Sequence, residues 1–435
     1  MDDFDAIVVG AGMGGCAAAY RLAEKGASVL LVDRGKPIGS KNLSGGVIWG
    51  HELDDLVGED WYKEAPVERP VTRKGVHMLT EGSDFGVNFD RGEWREPPHP
   101  GWIVLRAKTD PWFAGKVEEQ GGMVVEGVNV ESVVFEDGKA VGVEQAGETI
   151  RANAVVIADG ANSRLSIDMG LREETDDKIP IENAALGIKE IVELGEDTID
   201  ERFNVDGSSG VAHEYVCGWT EGDVMAGGFL YTNKESISLG VVVRVESLWN
   251  QEKVSHDIME EFRLHPSIEP LLEGGELIEY GAHLIPEGGL DYVDKRHGDG
   301  WMLVGDAAGF CFSNGMVIQG MNYAVGSGIR AAETVLDAKE RGDFSSKTMQ
   351  EYKRRLQQSY IWKDFQRFSD MEEVVWNQRI HHLYPELVEG VFTEMFTQDE
   401  TPKEKTRDVV RNQMKEKGVS PLTMIKDALN AGKNL

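Results

Sequence analysis

Apolar positions along this chain follow two rhythms. In the N-terminal part, short β-branched runs alternate with stretches of helical period, the pattern of an α/β fold around a largely parallel sheet. Residues 4–10 read as a first strand, 14–26 as a helix and 28–33 as a second strand, a complete βαβ unit. Residues 101–119 read as a helix; the glycines at 121–122 and the alternating run from Val124 to Val134 then read as a small antiparallel sheet. The run Ala154-Val155-Val156-Ile157-Ala158 is apolar on both faces, which predicts a strand in the interior of a parallel sheet. Between 180 and 290 the period falls to two, as in Ser236-Ile237-Ser238-Leu239-Gly240-Val241-Val242-Val243, and this predicts an antiparallel sheet forming a second domain. A last buried strand, Trp301-Met302-Leu303-Val304, leads into a glycine-rich loop and a helix over about 322–338. From 346 onward the chain is charged, helical and studded with aromatics, and its lysine-containing end is expected to be mobile.

The first βαβ unit carries the strongest chemical signal. Gly10-Ala11-Gly12-Met13-Gly14-Gly15 places glycines at the first, third and sixth positions of a dinucleotide fingerprint, between a strand and a helix. Asp33 follows 18 residues after Gly15, at the end of the next strand, where an acid binds ribose hydroxyls. Gly10 permits the tight turn, Gly12 lets backbone approach a pyrophosphate, and Gly15 brings helix against strand. Gly14 and Arg34 complete this part of the expected cofactor-binding set. The helix N-terminus adds partial positive charge at the phosphates.

Composition narrows the function. With 435 residues the chain can bury a large core, split into roughly two or three units. No stretch approaches the roughly 20 uncharged apolar residues of a spanning helix, and the N-terminus shows no secretion signal, so a cytoplasmic location is expected. Cys16, Cys217 and Cys311 are too few and too scattered for a disulfide framework or for the four thiolates of an iron–sulfur cluster. No metal site is expected. The net charge of −31 would repel nucleic acid and anionic lipid. An acidic excess this large fits a salt-rich cytoplasm, where salt screens the mutual repulsion of surface carboxylates; an ordinary acidic enzyme is the alternative.

The fingerprint alone does not choose between NAD and FAD. Ala158-Asp159-Gly160-Ala161-Asn162-Ser163 and Gly305-Asp306-Ala307-Ala308-Gly309 each follow a buried strand and put small residues at the carboxyl edge of the sheet, where one long ligand can meet both. With Arg106 and Asp110 in Leu105-Arg106-Ala107-Lys108-Thr109-Asp110, this set resembles the FAD-binding group of aromatic hydroxylases, geranylgeranyl reductases and electron-transfer-flavoprotein dehydrogenases, over nearly the whole chain. The likeness implies that Asp306 hydrogen-bonds the ribityl or phosphate region and that Arg106 lies near the phosphates. A turn cap at Asp159 and a surface ion pair at Arg106 are the plain structural alternatives.

Hydroxylases of this group place His where Gly309 stands and Pro soon after; this sequence has neither. The stretch from Gly305 through Glu333 is similar instead to the FixC-type branch of the electron-transfer-flavoprotein:quinone oxidoreductase family. Lys41-Asn42-Leu43-Ser44-Gly45-Gly46, Gly227-Gly228-Phe229-Leu230-Tyr231-Thr232, Ile278-Glu279-Tyr280-Gly281-Ala282-His283 and Glu287-Gly288-Gly289 support the likeness in the same order.

That resemblance implies a discontinuous FAD-binding domain of Rossmann type (1–75, 101–170 and 295–345), an antiparallel β-sheet domain on the quinone side (76–100 and 171–294) and a helical C-terminal region (346–435). A helix start near Gly320-Met321-Asn322 would aim free N–H groups at the pyrimidine end of the flavin, unless Gly320 serves close packing alone. Ser44, Gly45 and Gly46 would lie on the other side of the ring, unless they form a plain loop. Phe310-Cys311-Phe312 with Met316-Val317-Ile318 would line a quinone channel or pack the core.

No residue is singled out as acid, base or nucleophile, and His283 is expected to be structural. The implied reaction is electron transfer from an electron transfer flavoprotein to quinone, beside a separate ferredoxin-like iron–sulfur protein, with peripheral attachment to the inner face of the cell membrane through an apolar patch. The rivals are a geranylgeranyl-type reductase that saturates isoprenoid double bonds and a flavin-free scaffold.

Overall fold

The computed structural model describes residues 4–42, 45–172, 184–220, 224–251 and 254–434. Its first sheet runs in the order His297–Gly298, Trp301–Leu303, Glu148–Ile157, Phe4–Val9, Val29–Asp33 and Met123–Glu126. Glu148–Ile157, Phe4–Val9 and Val29–Asp33 pair in parallel, as do Trp301–Leu303 and Met123–Glu126 at the two flanks. The inner strands of this sheet are apolar on both faces because both faces are packed over; Ile7, Leu31, Val155 and Leu303 are fully shielded from solvent. Parallel pairing also sends every carboxyl end to one edge. Gly10, Asp33, Asp159 and Asp306 therefore emerge together.

Two elements differ from the sequence reading. Gly101–Val104 is a strand, and the helix begins only at Arg106 and ends at Glu119. Met123–Glu126 is the outer parallel strand of the first sheet, while the antiparallel part is the hairpin Ser132–Glu136 with Lys139–Gln145. That hairpin continues into the first half of Glu148–Ile157.

The second sheet has nine strands in the order Glu276–Pro286, Ala184–Glu193, Ser236–Arg244, Ala226–Thr232, Gly210–Cys217, Val67–Leu79, Gly101–Val104 and Gly46–Trp49, with Asp84–Asp90 on the flank of Val67–Leu79. Its pairing is antiparallel except where Gly210–Cys217 lies parallel to Val67–Leu79. Gly46–Trp49, Gly101–Val104 and most of Val67–Leu79 thus come from stretches expected to belong to the dinucleotide half. They tie the halves together. Residues alternate across this sheet: Leu230, Leu239 and Val241 enter a core closed by Phe262 of the helix Ser255–Arg263, and the intervening residues face the first sheet.

Helix Met13–Glu24 is rich in alanine, and Ala17, Ala18 and Ala19 are fully buried, which lets the long helix Met321–Arg341 pack closely against it. The C-terminal end, expected to be mobile, is the helix Pro421–Asn434. Arg379 pins it with Nε and Nη2 bonds of 2.6 and 2.7 Å to Asp427, and the Tyr384 hydroxyl donates to the same carboxylate.

Candidate functional site

A cavity of about 840 Å³ opens at the carboxyl edge of the parallel sheet and reaches the facing side of the second sheet. This is at the upper end of the roughly 300–1,000 Å³ typical of ligand sites, room for a long molecule. Of the expected residues, Gly10, Gly12, Gly14, Asp33, Arg34, Gly45, Gly46, Arg106, Asp159, Gly160, Gly305, Asp306, Gly320 and Met321 line it. The loops at Gly12 and Asp306 therefore share one cavity. Ser44 lies outside the described residues.

Steric demands divide the glycines of the first loop. Gly10 has φ +105°, and a Cβ there would stand 2.2 Å from the Ala158 carbonyl oxygen. At Gly15 a Cβ would stand 1.8 Å from the Gly10 oxygen, so helix and strand touch through hydrogen alone; Gly15 itself does not line the cavity. At Gly12 a Cβ would meet nothing nearer than Arg106 Nη2 at 3.4 Å. The protein does not require glycine at position 12, so the space there is left for a ligand. This cradle, at the start of a helix with no side-chain cap, fits the pyrophosphate of a dinucleotide.

The carboxylates around the cradle are held by backbone. Asp33 accepts the Ala11 N–H at 2.7 Å and the Gly35 N–H at 2.6 Å, which locks the loop to the second strand and leaves lone pairs toward the cavity. Asp159 accepts the Leu165 N–H at 3.2 Å. Burial pushes the carboxyls of both Asp159 and Asp306 upward, and Arg106 and His283 oppose that at Asp306.

Arg106 is not a surface pair: Nε and Nη2 bond both oxygens of Asp110 at 2.6 and 2.8 Å, and the Asp110 side chain is fully buried. Asn42 donates to Asp110 as well. The clamp holds the guanidinium at the cavity wall beside Gly12.

Helix Met321–Arg341 starts at the cavity with Gly320 as its N-cap and no side chain capping it. Across the opening, a Cβ on Gly46 would stand 3.0 Å from Met321 Cε, so the Gly45-Gly46 loop and this helix start face one another at close range. The Asn322 side chain is buried elsewhere, donating to Gln319 Oε1 at 2.9 Å. Cys311, Met316, Val317 and Ile318 line the cavity, whereas the rings of Phe310 and Phe312 pack on Phe365. His283 lines it too, with Nδ1 2.7 Å from the Leu284 carbonyl oxygen.

Two residues that sequence reasoning passed over stand on the sheet side of the cavity. Lys189 donates to the Gly45 carbonyl oxygen at 2.7 Å, and burial, with the charge of Arg106, pushes its pKa down to about 8. Glu214 accepts a 3.3 Å bond from the Tyr231 hydroxyl, and burial pushes its carboxyl far above the carboxylate range against the pull of Lys74. In the sequence both look like polar members of alternating strands, and no local signal marks them.

Comparison with known proteins agrees with this geometry. Residues 5–81 match the FAD dependent oxidoreductase family, residues 184–285 match "ETF-QO, ubiquinone-binding", and residues 371–435 match the ETF-QO/FixC family C-terminal domain. The chain is 40% identical over 428 residues, 98% of each chain, to the probable electron transfer flavoprotein-quinone oxidoreductase YdiS of Escherichia coli K12. It is 37% identical over 417 residues, 94% of each chain, to protein FixC of Azorhizobium caulinodans. Among solved structures, a geranylgeranyl bacteriochlorophyll reductase-like protein of Thermoplasma acidophilum superimposes with TM-score 0.73 at 19% identity, over 99% of this chain and 100% of that one. The flavin-dependent brominase Bmp2 gives TM-score 0.63 at 17% identity, over 95% of this chain and 98% of that one. At such identities these two show the fold alone. FAD is the cofactor that the cradle, the acid at Asp33 and the family share, and the chain belongs to the electron transfer flavoprotein-quinone oxidoreductase/FixC family of FAD-dependent oxidoreductases.

Proposed function

We propose that this protein takes electrons from an electron transfer flavoprotein and passes them to a quinone, working beside a separate ferredoxin-like iron–sulfur protein. Bound FAD supplies the two-electron chemistry, and the chain's residues bind and tune it. Gly10, Gly12, Gly14 and the N-terminus of Met13–Glu24 would hold the pyrophosphate, Asp33 with Arg34 the adenosine end, and Arg106, Asp159, Gly160, Gly305 and Asp306 the middle of the molecule. Gly45, Gly46, Gly320 and Met321 would meet the ring system, where the uncapped helix start favours negative charge.

The observation that carries the reading is the continuity of the cavity. One space joins the phosphate cradle to Val76, Met78, Gly227, Phe229 and Val242 on the second sheet, a largely apolar floor of which Gly227, Phe229 and Val242 lie inside the ubiquinone-binding match. A planar apolar acceptor fits such a floor.

Entry from a lipid surface has a structural candidate. Helix Pro421–Asn434 exposes Leu422, Ile425 and Leu429 at 78%, 55% and 69%, at spacings of three and four that form one face, while its Ala431 lines the cavity. Among the described residues no helix is long and apolar enough to cross a membrane. The face therefore supports peripheral attachment through apolar contact.

Reducing the flavin anaerobically and mixing with a short-chain quinone analogue tests the reaction. Rapid return of the oxidised flavin spectrum is expected, with no saturation of an unsaturated isoprenoid lipid offered in parallel. Return no faster than in buffer would overturn the quinone assignment. Flotation with neutral-lipid vesicles tests attachment, and replacing Leu422, Ile425 and Leu429 by Ser should abolish it.

A further inference from the structure

The sheet face that floors the cavity is apolar apart from a small group of polar side chains. Along one row of the register, Glu214 lies opposite Phe229, Phe229 opposite Gly240, and Gly240 opposite Lys189. Residues of one row share a face, so Glu214 and Lys189 point into the same cavity from either side of the Phe229 ring. The Lys189 ammonium stands 5.3 Å from that ring's centroid and is anchored to the Gly45 carbonyl on the flavin side. Tyr231, stacked on Phe229 with centroids 5.0 Å apart, donates to Glu214. Lys74 comes from the neighbouring strand, with its ammonium 4.4 Å from the Trp49 ring centroid.

We infer that Glu214 is the proton donor for the acceptor reduced in this cavity, with Tyr231 and Lys74 as its connection to water. The inference rests on the quinone reading above. Its balance is simple: a quinone takes up two electrons and two protons to become hydroquinone, and a reduced anionic flavin brings two electrons and one proton. One further proton must come from the protein. The Glu214 O–H bond breaks as an O–H bond forms on a quinone carbonyl oxygen, and the carboxylate left behind is stabilised by Lys74 and Lys189. Water then returns the proton past Lys74 and Tyr231.

The surroundings suit a donor. Glu214 faces Lys74 from Val67–Leu79, Tyr231 from Ala226–Thr232 and Lys189 from Ala184–Glu193; burial outweighs the two cations and keeps the carboxyl protonated near neutral pH. Lys189 in turn faces Arg106, Cys311, Glu279 and Glu214. A protonated carboxyl has a proton to give at neutral pH, which an ordinary surface glutamate does not.

The test uses FAD-loaded protein, reduced and mixed either with a soluble quinone analogue or with ferricenium, which takes an electron without a proton. E214Q should lower the rate with quinone relative to that with ferricenium by about 100-fold, the scale of general acid catalysis, and E214D should recover part of the loss. The wild-type rate with quinone should fall as alkaline pH removes the Glu214 proton, and E214Q should lack that limb. A readout independent of turnover is the infrared carboxylic C=O band of the flavin-free protein, which should titrate above neutrality and vanish in E214Q. Wild type that reduces quinone, with E214Q matching it in rate ratio and pH profile, overturns this inference alone. Wild type that reduces ferricenium but no quinone overturns the quinone reading as well.

Discussion

Two neighbouring glycines of the phosphate loop should fail in opposite ways when given a methyl group. In G15A the new Cβ would stand 1.8 Å from the Gly10 oxygen and 3.2 Å from Ala158 Cβ, all in the buried seam between helix and sheet. Backbone has to move, and overpacking of this kind costs about 1–3 kcal/mol or more. In G12A the nearest atom is the end of the Arg106 side chain at 3.4 Å, an ordinary contact, and residue 12 has an extended backbone that alanine adopts freely, φ −76° and ψ −178°. The flavin-free chain should therefore change by less than about 1 kcal/mol, a reduced unfolded-state entropy offsetting a weaker N-cap. The methyl instead occupies the place of a phosphate oxygen. Losing one charge-assisted hydrogen bond there removes about 1.5–3 kcal/mol of binding, a rise in Kd of roughly 10- to 150-fold. Calorimetric melting of the apoproteins and flavin fluorescence titration separate the two quantities. G12A binding FAD within twofold of wild type would refute the assignment of this cradle to the pyrophosphate; an apo G15A as stable as wild type would refute the steric argument.

Three further outcomes follow from the same geometry. Among the described residues, R106A leaves the fully buried Asp110 carboxylate with Asn42 as its side-chain donor, so urea denaturation should show a loss of about 3–5 kcal/mol, while D110N, which removes the charge, should lose less. His213 is held down to about 3 from 6.5 by burial, with His77 and Arg73 adding to it. The unfolded chain therefore binds the extra proton first, and stability should fall as pH drops from 6.5 toward 3, by up to about 1.4 kcal/mol per pH unit from this residue. Urea midpoints between pH 6.5 and 5 should be steeper in pH for wild type than for H213Q, and equal slopes would refute it. Finally, with a net charge of −31, melting temperature should rise between low and molar salt as carboxylate repulsion is screened, and stability unchanged at low salt would count against a salt-adapted chain.

The parts legible in the sequence are those where steric or solvation demands act locally. A strand buried on both faces must be apolar throughout, and Ala154 to Ala158 could be read for that reason. The Gly10–Gly15 loop was legible because its close contacts admit no side chain at two of its positions. Gly101–Val104 was not, since four residues running directly into a helix offer no period to count. Met123–Glu126 misled for another reason: at the sheet's edge it is exposed or half-buried, so its composition resembles an antiparallel strand although its partner makes it parallel.

Function divides along the same line. The residues expected to touch the cofactor sit in loops whose glycines and acids betray them, whereas Lys189 and Glu214 sit within strands, where polar alternation is the rule and carries no message. What distinguishes them is the partner of the face they occupy. Most polar residues of an antiparallel sheet meet water; here that face meets the crest of another sheet, so the same alternation places an ammonium and a carboxyl on the largely apolar floor of a cavity. The bond from Lys189 to the Gly45 carbonyl spans 144 residues of sequence and joins the sheet's floor to the loop beside the helix start at Met321. A charge change on the floor therefore acts within reach of the loop proposed to meet the flavin, which is the physical ground for proposing that electron and proton delivery share one cavity.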